Sequence, residues 1–336
     1  MKKIDLHLHL TPFQIPKIGK MNLTSGKNML PHLEQLGISK GVLMSGGEGG
    51  LPFGTNKANR KICRQFPEKY AWMCNVSPKG KEPVYDRLAR YKAQGAIGIG
   101  ELTYNRRLDD PFLQEVFAAA EKLDLPITIH MSPEEGYSYG VVDEPGLPLL
   151  EGVLRKYPNL KILGHSQTFW IEMSADAPKD KEGRNSWGDG PVITGGRVPQ
   201  LFEKYPNLYG DLSANSGSHA IMRDEAFGLA FLEKYADRLF FATDMVSKDM
   251  VFPLGGSMRC LLPESSGRKP MKRSSGATPG GSSDCEGRYE HHQNTLRMCY
   301  GYPRPGQRNR LLQGHPLRHR RAVGIPHPGD PLGGRL

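Results

Sequence analysis

The stretch Ile4-Asp5-Leu6-His7-Leu8-His9 opens the chain with an apolar run that carries two histidines two residues apart. A run of this kind predicts a β-strand, in which side chains two residues apart lie on the same face. His7 and His9 are therefore expected to point the same way at the end of the first strand. Taken alone the pair is weak evidence, because two polar residues on a solvent-facing edge strand have the same spacing.

Seven further apolar runs follow at fairly even spacing, separated by segments with helical periodicity. The predicted strands are residues 3–10, 41–45, 71–76, 96–102, 126–130, 161–165, 208–212 and 239–244. The predicted helices between them include residues 82–94, 111–123 and 147–157. Eight strands alternating with helices over about 250 residues predict an α/β protein with a (β/α)8 barrel, although an open doubly wound sheet has the same local pattern.

Side chains that can bind metals recur at the ends of five predicted strands. They are His7, His9, Glu101, His130, His165 and Asp244. Each has an ordinary alternative: a lone histidine is often an interior hydrogen-bonding residue, Glu101 can pair with Arg106 or Arg107, and Asp244 can cap the next segment. In a barrel, however, the C-terminal strand ends converge on one mouth, where residues distant in sequence meet. The whole set therefore favours the barrel and a shared metal site.

The ligand types indicate which metals suit this site. Imidazole and carboxylate ligands suit zinc, and also manganese or iron, and the absence of Cys among them argues against a closed structural zinc site. Asp5, Asp211 and Ser213 lie near strand ends, so they are candidates for fixing the orientation of the imidazole rings.

The basic charge of the chain lies almost entirely in its last quarter. The 336 residues carry 45 Lys plus Arg against 35 Asp plus Glu, a net charge of +10. Residues 256–336 hold 14 Lys plus Arg and 5 Asp plus Glu, whereas residues 1–255 hold 31 and 30. In this last quarter 12 of the 14 basic residues are Arg, no Phe occurs, and 22 of the 81 residues are Gly or Pro. Such a segment cannot bury enough apolar surface to offset the entropy of ordering it.

Three interpretations of residues 256–336 stay open: a basic arm that binds nucleic acid, a disordered linker, and out-of-frame translation. The abrupt change from Lys to Arg and the loss of β-branched residues favour a frameshift near residues 252–258. We therefore divide the chain into a folded domain, residues 1–255, and an aberrant basic tail, residues 256–336, that is disordered or frameshifted. Function is sought in the first part.

Two other protein classes are disfavoured by the sequence. No apolar run is long enough to span a membrane, and the N-terminus has no apolar signal core. Five cysteines are far apart and form no CxxC pair, which excludes a disulfide scaffold and favours a cytoplasmic location.

The six strand-end residues resemble the ligand series of the amidohydrolase superfamily, and within it the amidohydrolase-related group of metal-dependent TIM-barrel hydrolases. The resemblance covers residues 1 to about 254. Its strongest pieces are residues 4–9, Gly98-Ile99-Gly100-Glu101-Leu102 and Phe241-Ala242-Thr243-Asp244. At the position of residues 249–254, members of the group continue into a last helix. This sequence has no helical pattern after Gly255.

The resemblance implies a role for each of these side chains. His7, His9 and Asp244 would hold the primary divalent metal, and Asp244 would also act as the general base. His130 would complete or share that metal shell, and His165 would serve a second metal or orient the substrate oxygen. Glu101 resembles a strand-four carboxylate that bridges two metals in the hydrolytic branches and that related one-metal decarboxylases lack.

The sequence evidence for substrate-binding residues is weaker than that for the metal ligands. Tyr104 and Arg106 follow strand four, where the Arg guanidinium can clamp an anionic group, although a surface salt link is the more frequent use of such an arginine. Trp170 and Trp187 lie in the long segment after strand six and either line the pocket or pack this segment onto the barrel.

Together these features predict a metal-dependent hydrolase that uses a metal-activated water on an amide, ester or related bond of a small organic substrate. Zinc, as one or two ions, is the expected cofactor. A nonoxidative decarboxylase of the same superfamily is the nearer alternative, and nucleic-acid binding through the basic tail is the remote one. No membrane partner is expected, and a homo-oligomer is left open.

Overall fold

The computed structural model describes residues 3–17, 22–49 and 54–250 of the chain. These residues form an alternating series of strands and helices. The strands are β1 (Lys3–Leu8), β2 (Ile38–Leu43), β3 (Tyr70–Trp72), β4 (Ile99–Leu102), β5 (Ile127–Ser132), β6 (Val141–Val142), β7 (Ile162–His165), β8 (Leu208–Asp211) and β9 (Leu239–Phe240).

The helices follow most strands and lie outside the sheet. They are α1 (Gly26–Gln35), α2 (Asn56–Gln65), α3 (Val84–Ala93), α4 (Pro111–Lys122), α5 (Pro148–Lys156), α6 (Gln167–Trp170), α7 (Lys181–Arg184), α8 (Arg197–Lys204), α9 (Ala214–Met222) and α10 (Glu225–Lys234). Local sequence explains their starts. In α4, for example, the Asp110 side chain accepts a hydrogen bond from the backbone N–H of Phe112, and Pro111 supplies the first-turn φ that a helix needs.

All strand pairs are parallel and close into a barrel. Strands β1–β2–β3 form one sheet, and β4–β5–β7–β8–β9 form a second, with the short β6 added beside β5. Cys74 pairs with Ile99 and joins the first sheet to the second, and Leu8 pairs with Met245 and joins β1 to the segment that follows β9. The open doubly wound sheet, which the sequence left as an alternative, is therefore wrong, and the (β/α)8 barrel is confirmed.

Each predicted strand has a counterpart among the eight barrel strands. The three predicted helices named above correspond to α3, α4 and α5 within two residues at each end. The additional strand, β6, was not predicted, because two valines after a glycine-rich turn carry no periodicity. The predicted tail, residues 256–336, lies outside the described residues, so the division into two parts stays a prediction.

The barrel interior is filled by a small apolar cluster. Its buried members are Leu6, Val42, Met44, Met73, Leu163, Phe240 and Ala242. These residues come from strands that are not all neighbours, so the cluster spans the barrel beneath its mouth. A larger cluster packs the outer faces of the strands against the helices. No helix in the described part of the chain is both long enough and apolar enough to cross a membrane.

We predict that Leu163→Ala lowers the free energy of unfolding by about 2–5 kcal/mol, because it leaves a cavity in the barrel interior. Leu163 is 1% exposed and lies two residues before His165 on β7. Urea unfolding followed by circular dichroism measures the change. Ile193→Ala is the matched control, since Ile193 is 50% exposed and its truncation is expected to cost less than about 1 kcal/mol. Equal effects of the two substitutions would contradict the interior packing.

Candidate metal centre

Two histidines of the first strand aim ring nitrogens at one point in the barrel mouth. Nε2 of His7 lies 3.0 Å from Nε2 of His9. Strand β1 contains an irregularity between Asp5 and Leu8, and the chain continues beyond the strand to His9 in close contact with the segment after β9. The predicted pairing of His7 and His9 on one side therefore appears in the structure.

Two carboxylates approach the same point from opposite sides of the mouth. Oδ1 of Asp244 lies 3.2 Å from Nε2 of His9 and 3.5 Å from Nε2 of His7. Oε2 of Glu101, at the end of β4, lies 3.6 Å from Nε2 of His9 and 3.8 Å from Nε2 of His7. Four side chains from three separate parts of the sequence thus present donor atoms to one small volume.

His165 and His130 occupy different positions around this volume. Nε2 of His165 lies 3.6 Å from Oε1 of Glu101, and a group formed by His7, Glu101 and His165 has the spacing of metal ligands. A second such group is formed by His7, His9 and Asp244. Nδ1 of His130 instead lies 2.6 Å from Oε1 of Glu101. Among the described residues, His165 thus belongs to a donor group with His7 and Glu101, whereas His130 contacts Oε1 of Glu101 and belongs to neither group.

Hydrogen bonds from the next layer orient two of these imidazoles. Nδ1 of His7 donates to Oδ2 of Asp211 at 2.7 Å, which directs its Nε2 toward the donor volume. Oγ of Ser213 lies 2.9 Å from Nδ1 of His165 and orients that ring in the same way. Both are residues that the sequence had placed near strand ends.

The carboxylate of Asp5 binds the backbone of neighbouring residues, whereas Asp211 and Ser213 contact imidazole rings. Its carboxylate accepts hydrogen bonds from the backbone N–H of His7 and from both the N–H and the hydroxyl of Thr243. Asp5 thereby ties β1 to the residue that precedes Asp244, and burial raises its pKa to about 7.

Three strand-end residues adopt a left-handed backbone conformation that is unfavourable for non-glycine residues. They are Ser166 (φ 91°), Ala214 (φ 56°) and Asp244 (φ 61°). Such positions cost roughly 1–3 kcal/mol each and persist where surrounding contacts impose them. Ser166, for example, exchanges two hydrogen bonds with the backbone of Met131, which fixes the end of β7 against the end of β5.

The electrostatic field of the mouth favours a bound cation. Burial opposes a charge on His7, but the carboxylates of Asp244, Asp211 and Glu101 outweigh it and raise the pKa of His7 to about 10. Asp244 is half-buried, which disfavours its charge, yet the neighbouring histidines lower its pKa to about 2. An ionised carboxylate pair beside oriented imidazoles is the donor set that a divalent metal such as Zn²⁺, Mn²⁺ or Fe²⁺ prefers, so the residues present fit the metal that the family implies.

The sequence profile described as amidohydrolase matches residues 4–254. The chain belongs to the amidohydrolase family. This match ends one residue before the boundary predicted at residue 255. No curated protein matches this amidohydrolase at a significant level.

Solved structures with the same fold are distant in sequence. An uncharacterised TIM-barrel protein from Bordetella bronchiseptica is 14% identical, with a TM-score of 0.50 over 89% of this chain and 99% of that one. A 2,6-dihydroxybenzoate decarboxylase from Rhizobium is 18% identical, with a TM-score of 0.49 over 74% and 90%. A probable 2-pyrone-4,6-dicarboxylic acid hydrolase from Acinetobacter baumannii is 15% identical, with a TM-score of 0.44 over 73% and 84%. At these identities the likeness concerns the fold alone.

The three candidate substrate-binding residues lie outside the donor cluster of this amidohydrolase. Arg106 is exposed and forms an ion pair with Glu135 at 2.8 Å, and Tyr104 packs edge-on against Phe112 of α4. Trp170 is buried, and its Nε1 donates to the backbone oxygen of Asp211. The geometry thus favours the ordinary alternatives, a surface ion pair for Arg106 and a packing role for Trp170.

Sequence reasoning missed one aromatic side chain at the mouth. Tyr139 lies in the connection between β5 and β6, and its ring stacks on the ring of His130 with 4.2 Å between centroids. Partial burial and the charges of Glu101 and Asp244 raise the pKa of its phenol to about 12. The one signal that could have found it is its position: Tyr139 precedes a glycine in the segment that follows a barrel strand, at the face where such barrels bind ligands.

We predict that Asp211→Asn weakens divalent-metal binding about 10- to 100-fold, because the amide no longer enforces the His7 tautomer that directs Nε2 at the metal. Titration of the apoprotein with Zn²⁺ in competition with a chelating dye measures the affinity. Asp237→Asn is the control, since Asp237 is exposed and distant from the mouth in sequence and fold. An unchanged affinity in Asp211→Asn would show that the tautomer is fixed in some other way.

Proposed function

We propose that this amidohydrolase is a metal-dependent hydrolase that cleaves an amide, ester or related bond in a small organic molecule. The observation that carries the proposal is the approach of the Asp244 and Glu101 carboxylates to the paired Nε2 atoms of His7 and His9, within 3.2–3.8 Å. A carboxylate beside paired imidazoles supplies both ligands and a proton acceptor at one place.

The proposal includes a single zinc ion. His7 belongs to both donor groups, and Asp211 already occupies its Nδ1. Only Nε2 of His7 remains for a metal. Because one nitrogen binds one ion, the two donor groups that share His7 cannot each hold an ion through it. We therefore assign His7, His9 and Asp244 to the ion, with Glu101 and His165 close enough to complete its shell. Manganese and iron suit the same donors.

When bound, a divalent metal lowers the pKa of a coordinated water from 15.7 toward about 7 and polarises the bond to be cleaved. The residues of the chain perform the remaining tasks. Asp244 accepts the proton of the attacking water and passes it to the leaving group, and its side chain is the more exposed of the two carboxylates, so it faces the incoming substrate. His165, held by Ser213, orients the substrate oxygen.

A nonoxidative decarboxylase is the second candidate. The observation that favours it is the short contact between Oε1 of Glu101 and Nδ1 of His130, which commits one oxygen of that carboxylate to a hydrogen bond. A single metal bound without Glu101 is the arrangement that the decarboxylase predicts.

A cytoplasmic location belongs to the same proposal. It is supported by Cys63 and Cys74, which are free thiols in the described part of the chain. Nucleic-acid binding would depend on residues 256–336, which lie outside the described residues, and loss of salt-dependent binding on truncation at residue 255 would reveal it.

We predict that the purified chain contains close to one divalent metal ion per molecule and that the double variant His7→Ala/His9→Ala loses it. Elemental analysis after dialysis measures the metal content. Circular dichroism shows whether the double variant keeps its secondary structure, so that loss of ligands is separated from loss of the fold. A wild-type chain without metal after reconstitution with Zn²⁺, or a double variant that retains it, would contradict the proposed site.

We further predict that Asp244→Asn reduces hydrolysis of a panel of amides, esters and lactones at least about 100-fold, because it removes the proton acceptor. A pH-indicator assay follows acid release by the metal-loaded protein. Asp189→Asn is the matched control, since Asp189 is exposed in the long segment after β7. Release of CO2 from carboxylic acids in place of hydrolysis would select the decarboxylase.

A further inference from the structure

The connection between β5 and β6, residues 133–140, places an aromatic ring over the metal centre. Tyr139 is 61% exposed, yet one face of its ring rests on the His130 imidazole with an interplanar angle of 36°. His130 in turn contacts Glu101, one of the candidate ligands. The remaining surface of the Tyr139 ring is largely uncovered by protein. Aromatic side chains are common in the lining of small-molecule sites.

Gly140 fixes this position of the ring. Its φ is +118°, and a Cβ at this residue would lie 2.8 Å from the backbone oxygen of His130 and 2.9 Å from the imidazole Cδ2. Only glycine lets the backbone lie so close to His130, and it does so in a conformation that L side chains rarely adopt. Hydrogen bonds from Gly140 N–H to Thr103 and from the Asn105 amide to the Gly140 oxygen hold the chain there.

A buried arginine fastens both flanks of the same connection. Nη1 of Arg184, on α7, donates to the backbone oxygens of Pro133 and Asp143, each at 2.9 Å. Arg184 is 2% exposed. Because both flanks are held, the Tyr139 ring is presented by a preorganised segment, which reduces the entropy that binding would otherwise cost.

From these contacts we propose that Tyr139 is a substrate-positioning residue of the metal site, and that its open face packs against a planar, unsaturated part of the substrate next to the oxygen that the metal binds. Aromatic faces prefer offset contact with planar groups at ring separations of 4.5–7 Å. This inference rests on the proposed function, because it takes the donor cluster to be a metal site that binds a substrate oxygen.

Two hydroxamate chelators test the proposal. One carries a phenyl group and the other a methyl group at the same position. The full chain is loaded with Co²⁺, and its visible absorption is titrated with benzohydroxamate and, separately, with acetohydroxamate. Both probes bind metals through the same two oxygens, so the ratio of their dissociation constants isolates the contact made by the phenyl ring. The measurement is made on wild type, Tyr139→Ala, Tyr139→Phe and Tyr137→Ala.

We expect Tyr139→Ala to lower the preference for benzohydroxamate about tenfold, while acetohydroxamate affinity and Co²⁺ content stay unchanged. Tyr139→Phe keeps the ring and should keep the preference. Tyr137→Ala is the matched control, because Tyr137 lies in the same connection but its ring contacts Lys181 of α7.

An unchanged preference in Tyr139→Ala, with Co²⁺ and both probes still bound, would overturn the positioning role and leave the proposed function standing. Equal losses in Tyr139→Ala and Tyr137→Ala would also overturn it, since the effect would then belong to the whole segment. A wild-type chain that binds no Co²⁺ would contradict the proposed function and the positioning role together.

Discussion

The seam between β1 and the segment after β9 is the contact on which both the barrel and the site depend. The backbone N–H of Asp244 donates to the His7 oxygen at 2.9 Å, and that of His9 donates to the Met245 oxygen at 3.0 Å. These bonds join the first strand to the last, and they also bring the Asp244 carboxylate beside two imidazoles more than 230 residues away in sequence. Closing the barrel and placing Asp244 beside His7 and His9 therefore depend on the same contacts.

Because the seam is buried, its polar groups need hydrogen-bond partners within the protein. The carboxylate of Asp5 is fully buried, and it is satisfied only because His7 and Thr243 donate three hydrogen bonds to it. A buried carboxylate without such partners would cost several kcal/mol, so the seam forms in one register or not at all. That requirement supports the left-handed conformation at Asp244 and holds its side chain toward the mouth.

The sequence predicted the barrel strands and the convergence of the strand-end residues because both depend on local periodicity and on the topology of parallel strands. It did not predict which histidine lies beside which carboxylate. The positions of His165 and His130 depend on the Ser213 contact and on the Glu101 rotamer, which are tertiary features. Tyr139 was missed for the same reason, since its position depends on the close approach of Gly140 to His130.

The seam also bears on the change in composition near residues 252–258. Every candidate ligand precedes that change, and residues 246–249 are anchored by contacts with the N-terminal part of the chain: Val246 accepts from Thr24, the Lys248 N–H donates to the Thr24 hydroxyl, and Asn22 donates to Asp249. The donor cluster and its closing strand are thus held by described residues that lie before the change. Whatever the origin of residues 256–336, the chemistry proposed for the mouth depends on residues 3–250.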